Sequence, residues 1–188
     1  MLGSFETASR KPKPEEQAAA QRLLADVGAS VVGPLARLTA HPDPDLRLVP
    51  LPFLVGRSEE VAKRALEALT RDSEPSVRRA ALSALGPEQR ELAKSVAARL
   101  NQEEEWPLRA TAAEALGRMA KGQAEPQVVE SLSRAALSDP YALVREAAAR
   151  ALAAVAGSAA LPTLRQLKER DPEPRLRGLA ERLAKELE

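Results

Sequence analysis

Five arginines, Arg47, Arg78, Arg109, Arg145 and Arg177, stand along the chain at intervals of 31, 31, 36 and 32 residues. Each directly follows an apolar residue: Leu46, Val77, Leu108, Val144 and Leu176. From four of these, further apolar residues recur in a fixed pattern. The fullest copy is DPYALVREAAARALAAV, residues 139–155, in which Ala148, Ala151, Leu152 and Val155 follow Val144 at offsets of four, seven, eight and eleven. Those offsets mark one face of a helix with 3.6 residues per turn. Val77, Ala81, Ala84 and Leu85 repeat them, as do Leu108, Ala112, Ala115, Leu116 and Met119. Leu176, Ala180, Leu183, Ala184 and Leu187 make a fourth copy. A unit of this length buries its stripe only against its neighbours, so the recurrence prescribes stacked helices.

The stripe is narrow and rich in alanine, which lets helices approach closely. Aromatic residues are 2% of the chain while hydrophobic residues are 44%, so the core is built from Leu, Ala and Val. Within the fullest copy, Asp139 is expected as the N-cap, Pro140 as the first helical residue and Gly157 as the stop. Arg47 belongs to the series through HPDPDLR, which matches DSEPSVR and DPEPRLR.

The pattern D-P-x-x-x-V-R-x-x-A-x-x-A-L resembles the HEAT repeats, in the short bacterial form also seen in phycobilin lyases. DPYALVREAAARAL (139–152) fits closely and DSEPSVRRAALSAL (72–85) fits with its proline displaced. The resemblance covers about residues 15–188 and implies an all-α, right-handed α-solenoid of about five helix pairs plus a terminal helix. It places the arginine-bearing first helices on a convex layer and the second helices on a concave one.

Taken in order, residues 1–14 read as a flexible tail, because Pro12 and Pro14 disfavour helix. Residues 15–27 and 29–39 read as a first, less regular pair. Residues 48–55, LVPLPFLV, replace the expected alanines. Pro50 and Pro52 there predict a short, kinked or broken outer helix. Phe53 makes this stretch either a packed outer element or an apolar docking patch. Residues 58–71 read as the second helix of that pair, started by Ser58, with Val61, Ala65 and Leu69 toward the core. Pairs follow at 74–86 with 87–100, 106–121 with 125–138, and 140–156 with 158–169. Residues 173–187 are expected as an unpaired terminal helix.

Several function classes lose support. The formal net charge is +1, a poor basis for nucleic-acid affinity. There is no cysteine and a single histidine, so no zinc constellation and no thiolate chemistry are expected. His41 occupies the position of Asp72, Asp139 and Asp171 and reads as a turn residue. Glu103, Glu104 and Glu105 precede a helix, where negative charge suits the dipole. The repeated arginines read as bonds between adjacent repeats, and Trp106 as a packing residue. No catalytic group, cofactor or metal is expected. No apolar run of the length that crosses a bilayer is apparent, nor is the apolar core of a signal peptide, so a cytoplasmic protein is expected.

What remains is a protein-interaction scaffold, a monomer or weak homodimer. Helical-wheel placement puts Arg37, Lys63, Arg64, Glu67, Lys94, Arg134 and Arg165 on the solvent side of the second helices. These, with Phe53, are the expected partner-binding residues. The resemblance implies one alternative, a lyase or lyase subunit acting on a bilin-like chromophore. HEAT-like DNA glycosylases suggest a second, nucleic-acid binding.

Overall fold

The computed structural model describes residues 32–188, all of whose regular elements are helices. The expected tail 1–14 and first helix 15–27 lie outside the described residues. Short helices open the stack: α1 is Val32–Arg37, α2 Pro44–Leu48 and α3 Leu51–Leu54. Then come α4 (Glu60–Thr70), α5 (Pro75–Ala84), α6 (Ala93–Gln102), α7 (Trp106–Met119), α8 (Pro126–Ser138), α9 (Ala142–Ala156), α10 (Leu161–Arg170) and α11 (Pro174–Leu187). Single 3-10 turns precede α6 and α10.

The helices alternate between two rows. α5, α7, α9 and α11 pack in succession, and α4, α6, α8 and α10 do the same. The closest hairpins run α4–α5, α6–α7, α8–α9 and α10–α11. The terminal helix is therefore not unpaired, because α11 packs on both α10 and α9. The buried stripe is the expected one, with Val144, Ala148, Ala151, Leu152 and Val155 all in the core. In α4 the stripe is turned by one residue. Ala62, Ala65, Leu66 and Leu69 are buried, while Val61 is 50% exposed. Ser58 caps nothing there; Glu59 is the residue before the helix and its side chain makes no cap bond.

Pro50 and Pro52 act as their chemistry requires. The outer element ends at Leu48 and restarts at Leu51, so α2 and α3 together replace one helix. Leu51 and Leu54 are buried and Phe53 is half-buried, so the stretch turns mainly inward. The wide 36-residue interval contains a first helix of 14 residues, four longer than α5, and the turn at Gly122. Gly122 has φ +70° and donates its N–H to Ala154 O at 2.9 Å.

Residues Ala142–Arg170 form a helical run long and apolar enough, by composition, to cross a membrane, which periodicity alone did not suggest. Gly157, at φ +54°, interrupts it, and half of its most apolar window is buried. Its contacts with α7, α8 and α11 make it a core element of the stack.

The arginine series binds each repeat to the next. Arg47 reaches Asp72, Arg78 reaches Glu103, Arg109 reaches Asp139 and Arg145 reaches Asp171, each through two guanidinium nitrogens at 2.6–3.1 Å. The remaining nitrogen of every member donates to two carbonyls of its own preceding loop, as in Arg145 to Asp139 O and Pro140 O. Arg177 keeps the carbonyl bonds, to Asp171 O and Pro172 O. One planar fork thus closes a loop and docks the following loop, a geometry lysine cannot reproduce.

The acid at the start of each loop also accepts from the amide two residues on: Asp72 from Glu74, Asp139 from Tyr141 and Asp171 from Glu173. This corrects the expected cap. Asp139 closes a turn, and α9 starts only at Ala142 after Tyr141. His41 Nδ1 accepts from the Asp43 amide at 3.0 Å, so it plays the same turn role. Glu103 fills the acid position of its repeat and is buried against Arg78 and Arg99. It is more than a dipole partner, whereas Glu104 and Glu105 are exposed at the start of α7.

Burial pushes the carboxyls of Asp72, Glu103 and Asp171 upward. The arginine bonds, the loop amides and the neighbouring positive charges outweigh it and hold all three below the usual carboxylate range. A folded-state pKa below the unfolded one contributes stability that is complete above the unfolded value and is lost as pH falls through the folded one. Thermal unfolding followed by circular dichroism should therefore show no loss from these groups between pH 7 and 5. It should show a marked fall below about pH 4. The deficit of Asp171→Asn relative to wild type should shrink over that same interval. A constant deficit from pH 7 to 3 would contradict the assignment.

Candidate interaction groove

The residues expected to bind a partner are spread along the second-helix row and mostly engage acids of this chain. Lys63 pairs with Glu91 at 3.4 Å and Lys94 with Glu125 at 2.7 Å, both between successive second-row segments. Arg64 pairs with Glu60, Glu67 with Arg71, Arg134 with Glu130 and Arg165 with Glu188. Such exposed pairs hold little energy, of order 0–1 kcal/mol each. Arg37, Arg90 and Arg170 have no ion pair among the described residues. Arg37 and Arg64 border a shallow cleft of about 480 Å³ between α1 and α4, beside Val61. Lys94 borders another near Gln123. Phe53 joins none of these cavities. The structure does not gather the eight residues into one site.

A groove of about 600 Å³ lies on the other row, between α7 and α9. Its position follows from the repeat register. Counting from the series arginine, Leu143, Glu146, Ala147, Arg150 and Ala154 of α9 line one wall. Pro107, Ala110, Thr111, Glu114 and Arg118 of α7 stand at equivalent positions on the other. Gly117 and Ala151, with Ala110 and Ala147 at the foot of the two walls, supply a floor of small residues. There the helices approach so closely that a Cβ on Gly117 would lie 3.1 Å from Ala151 Cα.

One end carries a concentration of aromatic groups. Trp106 lines the groove and stacks on Tyr141 with centroids 5.4 Å apart and planes 18° from parallel. The Arg109 guanidinium lies 5.7 Å from the Tyr141 centroid. Trp106 packs against the core as expected, and it also faces the groove. Tyr141 and Leu143 are about half exposed, at 49% and 53%.

The charge is asymmetric. Glu146 is shared by Arg150 at 3.0 Å and Arg175 of α11 at 3.5 Å. Arg118 donates to Leu82 O, Ser83 O and Leu85 O at the end of α5, and pairs with no carboxylate. Glu114, on the α7 wall, is exposed and has no ion pair among the described residues. Among the described residues no group of three or more His, Cys, Asp or Glu converges as a metal site would require.

Of these groove residues periodicity marks only Ala151, a member of the buried stripe, and Trp106 reads from the sequence as a packing residue. A signal was present. The position two before the series arginine is Ser76, Pro107, Leu143 and Arg175, so Leu143 is an apolar side chain off the stripe.

A family model described as HEAT repeats matches residues 62–153 and again 93–184. Comparison with curated proteins yields no match.

Proposed function

This chain belongs to the HEAT-repeat family, and from that premise we propose that it is a non-enzymatic scaffold that binds a partner protein in the groove between α7 and α9. The observation that carries the reading is the composition of that groove. A floor of small residues is flanked by a tryptophan, an exposed leucine and three arginines, and tryptophan and arginine are the side chains that concentrate binding energy at protein interfaces. On the second-helix row, the expected site, most of the charges are paired and the clefts carry no tryptophan. In this reading the stack is a right-handed solenoid of about five helix pairs in the cytoplasm, a monomer or weak dimer. Nucleic-acid binding would call for several aromatic faces open to bases, and Trp106 and Tyr141 already use one face each on one another. The bilin alternative gains no specific observation.

A photo-crosslinking residue at Thr111, in the groove, should capture a host protein on irradiation in lysate. The same residue at Glu130, on the second-helix row, should capture less. Preferential capture from Glu130 would move the site back to the second row.

A further inference from the structure

The groove's charge and shape together specify what it takes. We infer that it receives an acidic amphipathic helix of a partner protein; this rests on the groove reading above and adds the chemistry of the occupant.

Shape comes first. The groove runs along α7 from Trp106 to Arg118, about three helical turns or ~20 Å. Its floor is alanine and glycine, residues too small to fill the trough. A straight ridge of small and medium apolar residues fits such a trough, and a helix presents one at i, i+3, i+4 and i+7. Thr111 already spends its hydroxyl on Pro107 O at 2.9 Å, so the floor offers few donors to an extended backbone.

Charge then sets the sign. On the α9 and α11 side, two guanidiniums share the single carboxylate of Glu146. Arg118 adds a positive charge answered only by carbonyls. The same first-helix face continues in the repeat register to Arg79 of α5 and Arg182 of α11, both exposed and without an ion pair among the described residues. Two exposed acids depart from this: Glu114 on the α7 wall, and Glu186 of α11, which stands nine residues after Arg177 as Arg118 does after Arg109. The occupant's acids therefore lie along its α9-facing flank, and its other flank is polar or basic. On the second-helix row Lys63, Lys94, Arg134 and Arg165 are each paired to this chain's own acids, while Arg37, Arg90 and Arg170 have no ion pair among the described residues.

Trp106 is the only tryptophan, so its emission reports the groove directly. The probe is a tryptophan-free helical peptide of about 16 residues, with a Leu/Ala ridge and Glu along one flank, titrated into the full chain. Saturable change in Trp106 emission is expected. A peptide with Lys in place of Glu should bind at least tenfold more weakly. Arg150→Glu with Arg175→Glu should weaken the acidic peptide at least tenfold, and Leu143→Ser, at an exposed site that leaves the fold intact, at least threefold. Glu114→Gln should tighten it.

Equal binding of the two peptides, or no response to the acidic one up to millimolar concentration, overturns the inference. If host protein still crosslinks at Thr111 in that case, the groove remains the site and only the acidic helix is wrong. If crosslinking fails as well, the groove reading falls with it.

Discussion

Replacing Arg145 with alanine lowers the stability of the stack by about 3–5 kcal/mol, the range for breaking a buried ion pair from one side. Arg145 and Asp171 are nearly enclosed, with side chains 9% and 2% exposed. Removing the guanidinium leaves the Asp171 carboxylate without its charged partner and frees the carbonyls of Asp139 and Pro140. The double change Arg145→Met with Asp171→Leu should recover much of the loss, because an apolar pair of similar volume avoids the desolvation penalty. It should not recover all of it, since the loop carbonyls and the Glu173 amide stay uncapped. Urea unfolding of both variants checks this. A loss under 1 kcal/mol for Arg145→Ala would mean that the series arginines are surface decoration.

Gly117→Leu should cost about 3 kcal/mol, at the upper end of ordinary overpacking. The contact is with the backbone of Ala151, so relief requires α7 and α9 to separate rather than a side chain to rotate. Gly117→Ala is the informative control. Its helix propensity gain of about 1 kcal/mol offsets much of a smaller clash, so the net change should stay within about 1 kcal/mol. Thermal and urea unfolding report both variants. Leucine and alanine behaving alike would show that α7 and α9 have room between them.

The reasons some features were readable lie in the pattern itself. The buried stripe, the five arginines and the break at Pro50 and Pro52 recur or fail in register, and packing leaves each of them one solution. The turn role of His41 was legible because it sits where other copies carry aspartate. Glu103 hid among three consecutive glutamates, and only counting six residues back from Arg109 distinguishes it. Val61 misled because it continues the apolar spacing of α4, yet the helix is rotated so that Ala62 and Leu66 fill the core instead. The groove lay beyond periodicity. It arises from how closely Gly117 lets two first-row helices pack, and from exposed positions that differ in every copy. On the second row most of the expected charges are paired, half of those to an opposite charge four residues along the chain, a detail a helical wheel does not register.

The most direct test compares two charge reversals in one capture experiment from the native host, with folding of both verified by circular dichroism. One variant changes Lys63, Lys94, Arg134 and Arg165 to Glu on the second-helix row. The other changes Leu143, Arg150 and Arg175 to Glu in the groove. A partner retained by the first and lost from the second is the predicted result. A partner lost from the first and retained by the second would contradict the groove as the functional site.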